Sequence, residues 1–184
     1  DKAGLDPALA DGRLAVAGNL AIPLKTGVKT RDLEFNAAGV ARDVVSTTLL
    51  EGRRLAASRL DVTADNEGVQ VGGPGTLDGV PFDATWSQPI SDAPQGGRVV
   101  GALELSERTI DAFNIGLPAG MVTGQGNGKI EITLPTGGAP PRFALDTILR
   151  GLTLAAAPWG WRKGAAVPGA LTVEGILGDA PRVD

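Results

Sequence analysis

Leu77-Asp78-Gly79-Val80-Pro81-Phe82-Asp83-Ala84-Thr85-Trp86 is the stretch on which the reading of the fold turns. Asp-Gly closes a two-residue hairpin readily, because both residues tolerate positive φ. Beyond it Phe82, Ala84 and Trp86 alternate with Asp83 and Thr85. A period of two sends apolar side chains to one side of a strand and polar ones to the other. A hairpin is therefore expected between a strand ending near Leu77 and one carrying Phe82 to Trp86.

The alternation continues outward in both directions. Upstream, Leu20, Ile22 and Leu24 alternate with Asn19, Ala21 and Pro23; Leu33 and Phe35 stand against Asp32 and Glu34, and Leu60 and Val62 against Arg59 and Asp61. Downstream, Leu103 and Leu105 flank Glu104, and Ile130, Ile132 and Leu134 alternate with Lys129, Glu131 and Thr133. Phe143 and Leu145 then oppose Arg142 and Asp146, and Leu171 and Val173 oppose Thr172 and Glu174. Turn chemistry separates the runs at Asp11-Gly12, Asn66-Glu67-Gly68, Asn127-Gly128 and Pro135-Thr136-Gly137-Gly138. About ten to twelve short strands joined in this way form an antiparallel meander. One helix is expected over 107–114: Ser106 is a good N-cap, Glu107 suits the positive end of the helix dipole, and Ile110 and Phe113 share a face. Gly116 and Pro118 end it. The Gly- and Pro-containing stretch at 91–97 marks a sub-boundary between two halves.

Composition narrows the function classes. Hydrophobic residues make up 42% of the 184 residues but aromatic ones only 4%, so apolar volume comes from Leu, Val, Ile and Ala. Such a mixture suits a thin, extended apolar surface better than a deep core. The net charge of −4, with Lys and Arg scattered, leaves no basic stripe to track phosphates, and nucleic acid is not an expected partner. There is no cysteine and no histidine, which removes disulfides, thiolate or imidazole zinc sites and Ser-His or Cys-His nucleophile systems. No catalytic residue, metal or cofactor is expected. The longest apolar stretch, near Leu152 to Pro158, is too short to span a bilayer. A start at Asp1 without Met, and an end at Asp184 within a continuing pattern, read as a single segment, 1–184, of a larger repetitive protein.

Weaker motifs have plain explanations. Asp61, Asp65 and Glu67 lack the order of a calcium loop and read as solvated turn charges. Glu104 and Glu131 occupy polar-face positions rather than those of an acid-base pair. Gly72-Gly73-Pro74-Gly75 and Gly124-Gln125-Gly126-Asn127-Gly128 fit no phosphate-binding spacing and read as turns or strand bends. Trp159 and Trp161, beside Arg162 and Lys163, suit a membrane interface or a sugar platform, with packing against a strand edge as the default.

The order of elements from Arg98 onward resembles the AsmA-like superfamily, in its YhdP-like branch of bacterial envelope proteins. The residues carrying the resemblance are the strand Val99-Val100-Gly101-Ala102-Leu103-Glu104-Leu105, the helix Ser106 to Asn114, Gly116-Leu117-Pro118, and the strand Gly124 to Leu134. They continue through Arg142 to Leu154, Pro158-Trp159-Gly160-Trp161-Arg162-Lys163 and a closing strand Gly169 to Leu177. Upstream, Val69 to Gly79 with Pro81, Phe82 and Trp86 is similar to the family's strand, Leu-Asp-Gly, strand-ending-in-Trp unit, so the likeness covers about 55–184.

The resemblance implies a mainly β, elongated antiparallel meander curved into a U-shaped apolar groove. It also implies a periplasmic location within a longer chain whose inner-membrane anchor lies outside this segment. Phospholipid is the implied partner, its acyl chains bound or conducted along the groove between inner and outer membranes. The expected lining is Leu103, Leu105, Ile130, Ile132, Leu134, Phe143 and Leu145, the apolar parity of their strands. A structural β-repeat spacer or stalk without ligand is the alternative, and the scarcity of large aromatics to fill a closed core favours the groove.

Overall fold

A strand with one apolar parity must pair its backbone N–H and C=O groups sideways before its greasy face can matter, and short turns make the sequence neighbour the nearest partner. The computed structural model, which describes residues 10–23, 34–50, 52–91, 95–177 and 182–183, follows that rule over most of its length. Leu24, Asp32 and Leu33, of the alternating runs, lie outside the described residues. The elements are β1 Asp11–Ala21, β2 Glu34–Ser46, β3 Leu55–Asp65, β4 Gly68–Leu77, β5 Val80–Pro89 and β6 Gly97–Ser106. After β6 come α1 Glu107–Ala112, β7 Val122–Leu134, β8 Arg142–Thr147, β9 Leu152–Ala156, β10 Trp161–Lys163, β11 Leu171–Ile176 and β12 Arg182–Val183.

The described residues form a mainly β protein: one open, antiparallel, 12-stranded sheet with a single short α-helix. Strands β1 to β8 lie side by side in sequence order, followed by β11 and β12; β9 pairs with β7, and β10 with β9. Strand β7 is long enough to serve two neighbours. Lys129 to Thr133 pair with β8, while Val122 to Gly124 pair with β9. The β5–β6 ladder carries the sheet past 91–97, Ser87 pairing with Arg98.

The Asp78-Gly79 hairpin forms as expected. Leu77 pairs with Val80, and the two turn residues have φ of 50° and 81°. Positive φ at both central positions matches the right-handed twist of the flanking strands. Asp78 Oδ1 accepts the Arg54 backbone N–H at 2.8 Å and Oδ2 accepts Arg53 Nη1 at 2.9 Å. Arg53 Nη1 also donates to the Ala112 carbonyl at 2.7 Å, and its guanidinium lies 4.9 Å from the Phe113 ring centroid. One arginine thus ties the turn to the C-terminal end of α1, and Val80 beside the turn is fully buried. The helix begins where expected. The Ser106 N–H donates to Thr109 Oγ1, whose hydroxyl donates to the Glu104 carbonyl at 2.7 Å. It stops at Ala112, with Asn114 in the left-handed region at φ 52°.

Two expected turns belong to strands instead. Asp11-Gly12 belongs to β1, where the register shifts between Asp11 and Arg13, and Arg13 pairs with Asp43 across the irregularity. Asn127-Gly128 lies mid-ladder in β7, Gly128 opposite Leu103. A Cβ at Gly128 would sit 2.6 Å from Leu145 Cδ1 and 3.1 Å from Leu105 Cδ1. Glycine serves there to admit neighbouring leucines, not to reverse the chain.

Two measurements test this arrangement. Gly79→Val forces a β-branched residue into positive φ and should cost about 1–2 kcal/mol, read as a lowered urea midpoint. The Arg54 N–H and then the Arg53 guanidinium hold the Asp78 carboxyl below the usual carboxylate range. Its stabilisation is therefore complete above the unfolded value of about 4 and is lost as pH falls through the depressed folded value. Asp78→Asn should remove that component of the acid limb when urea midpoints are compared from neutral pH into strong acid.

Candidate functional site

Residues directly opposite one another in an antiparallel ladder point to the same side of the sheet. Following the pairings from strand to strand gives one row: Val16, Gly39, Val62, Val71, Trp86, Val99, Ile132, Phe143 and Gly175. It crosses from β1 to β11 without a polar side chain. Eight interstrand steps of about 4.8 Å make the row about 38 Å wide. A second row runs beside it through Gly73, Ala84, Gly101, Ile130, Leu145 and Val173, and a third through Gly75, Phe82, Leu103 and Gly128. Small residues between large ones let side chains lean across, as Leu145 and Leu105 do over Gly128.

All seven expected residues share this face. Ile130, Ile132, Phe143 and Leu145 are brought together by the β7–β8 ladder, Leu103 lies one row beyond Ile130, and Leu105 and Leu134 lie at opposite ends of the β6–β7 pair. Each is half-buried. Sequence reasoning placed Trp86 and Val173 on the apolar parity of their strands but did not assign Val16, Val71 or Val99 to the same surface. Its signal for them was parity relative to a correctly placed hairpin, hidden in runs such as Val99-Val100 where both faces read apolar.

The opposite face is polar. Arg98 pairs with Thr133, and Thr133 with Arg142; Asp61, Thr85, Glu131 and Glu174 share that parity. Arg98 Nη2 meets Glu131 Oε1 at 2.7 Å, and this hydrogen bond lowers the Glu131 carboxyl and raises the Arg98 guanidinium. Glu104 lies on the same parity but is buried, accepting Ser106 Oγ at 2.8 Å and Gln125 Nε2 at 2.6 Å. Since Glu104 faces Asn127 and Glu131 faces Val100, the two carboxylates stand four ladder positions apart, about 13 Å, and do not converge. Asp61 bonds Arg59, and Asp65 Oδ1 accepts the N–H groups of Glu67 and Gly68 in the β3–β4 turn. Among the described residues no three carboxylates gather where a metal could sit.

Cover for the apolar face is sparse. Residue 57 in β3, Val80, and Leu149, Leu152 and Ala156 near β9 are the buried hydrophobic residues among those described, while Leu14, Val16 and Leu20 on β1 are 63%, 51% and 60% exposed. The accessible surface is 12517 Å², against about 8,300 Å² for a compact monomer of this mass. A depression of about 540 Å³ opens beside the β2–β4 irregularities, among Val44, Val45, Ala56, Ala57 and Pro74, and none of the seven residues lines it. The surface is a broad open face rather than a closed pocket.

No protein-family model, curated protein or solved structure matches this chain. An environment-sensitive apolar dye offers a direct check on the face. Ile132→Asp should cut dye binding several-fold, because a charge inserted among apolar neighbours brings water with it. Thr133→Asp, one residue along on the polar side, should leave dye binding unchanged.

Proposed function

We propose that this chain is a lipid-handling segment in which the apolar sheet face holds or conducts phospholipid acyl chains. The observation that carries the proposal is the nine-residue row from Val16 to Gly175, apolar throughout, which the described residues leave without a second layer. A sheet apolar on one side must bury that side against something. An acyl chain meets the requirement without a specific polar pocket. At about 0.8 kcal/mol per buried CH₂, a chain of about sixteen carbons gains up to about 12 kcal/mol relative to water, before ordering costs. Repetition of similar rows lets such a chain slide, while its head group stays in water at the rim.

Residence in the bacterial periplasm, within an AsmA-like protein anchored to the inner membrane elsewhere, belongs to the same proposal. Its support is the resemblance across 55–184, and the open meander is the architecture that such a role requires. No reaction is assigned to the chain: among the described residues Glu104 and Glu131 do not converge, and the three apolar rows carry no ionisable side chain.

A photo-crosslinking residue at Ile132 should capture phospholipid from cells, whereas one at Thr133 should not. Capture at both positions alike, or capture at Ile132 of another protein layer in place of lipid, would overturn the proposal in favour of a β-repeat spacer.

A further inference from the structure

Two of the three tryptophans are left in water. Trp159 is 79% exposed and Trp161 54% exposed, whereas Trp86 is half-buried on the sheet. Both exposed residues sit at the tip of the β9–β10 hairpin, on the 3-10 turn Ala157–Trp159 and the first residue of β10. In a protein so short of aromatic volume this placement is costly, since the core forgoes the side chains that would fill it best.

The hairpin that carries them is firmly mounted. Trp161, Arg162 and Lys163 pair with Ala156, Ala155 and Leu154, and β9 pairs with the start of β7. The buried Lys163 ammonium donates to the carbonyls of Leu149 at 2.6 Å, Leu152 at 2.9 Å and Gly164 at 3.2 Å. Three donors meet three acceptors, so the base of the hairpin is stapled from within while its tip stays outside.

Charge and composition select the partner. Between Thr147 and Leu171 there is no anionic residue, in a chain whose net charge is −4, and the exposed cation beside the tip indoles is Arg162, Lys163 being held inside and Arg150 standing at the base of the hairpin. The same stretch holds no Asn or Gln either, so it lacks the amide and carboxylate groups that recognise sugar hydroxyls beside an aromatic platform. Exposed indoles flanked by exposed arginine suit the boundary between acyl chains and phosphate head groups.

We infer that the β9–β10 tip is a membrane-docking element that inserts Trp159 and Trp161 into the interface of an anionic bilayer, with Arg162 against lipid phosphates. Groove occupancy and docking are separable, because the tip shares no residue with the apolar rows.

The test uses the 184-residue chain carrying Trp86→Phe, so that fluorescence reports the two tip indoles alone. Vesicles of phosphatidylglycerol and phosphatidylcholine in equal parts should shift the emission to the blue, and brominated lipid should quench it. Trp159→Ser with Trp161→Ser, both surface changes, should lower vesicle cosedimentation at least about tenfold, and Arg162→Glu should weaken it further as salt is reduced. Ile132→Asp should dock normally. Wild-type protein that fails to cosediment, or a double Ser variant that binds as well as wild type, overturns the inference and leaves the tip as a protein contact.

Discussion

Strand register is the constraint on which everything else rests. Because side chains alternate with a period of two, a slip of one residue between any pair of strands would carry an entire apolar set to the polar face. From β4 to β8 the ladders run without a shift, and Phe82, Leu103, Ile130, Ile132, Phe143 and Leu145 stay on one side as a result. Where the register does shift, between Asp11 and Arg13 and between Ala56 and Asp61, it does so at the start of β1 and between β3 and β4, where the second and third rows begin at Gly73 and Gly75 and only the row through Val62 and Val71 continues. The turn at Asp78-Gly79 sets the count for β4 and β5, and Arg53 fixes that turn to α1.

Much of this was legible in the sequence, and the reasons are local. Asp-Gly between two alternating runs specifies a hairpin with few competing solutions, so β4, β5 and their relative parity follow from ten residues. Ser106, Glu107 and the spacing of Ile110 and Phe113 likewise placed the helix. The readings that missed share one cause. Asn127-Gly128 and Asp11-Gly12 carry turn chemistry, yet tertiary pairing overrides local preference when a long strand has a partner along its whole length. Glu104 looked like a solvated strand carboxylate; its burial depends on Ser106 and on Gln125, 21 residues away, which no local pattern reveals. The exposed tip tryptophans were read by default as packed, because sequence shows that indoles are present but not whether any surface remains to receive them.

The face and the fold are two views of one choice of residues. Leu, Val, Ile and Ala, with Gly39, Gly101 and Gly128 among them, make most of this surface, and Phe82, Trp86 and Phe143 stand in its rows. That choice lowers what the chain can gain by burying itself, and the exposed β1 residues show how little cover the other described residues supply. A polar reverse side, stitched by Arg98 to Glu131, keeps the two faces distinct.

The large accessible surface also governs how the chain responds to temperature. The heat-capacity change of unfolding scales mainly with the apolar area newly exposed, and a sheet that already shows much of that area when folded has less left to expose. Its stability curve should be flatter than that of a compact domain of equal length, with heat and cold denaturation set further apart for the same maximum stability. Whatever covers the face would add its own area to the transition and sharpen the curve, making calorimetric curvature a gauge of occupancy.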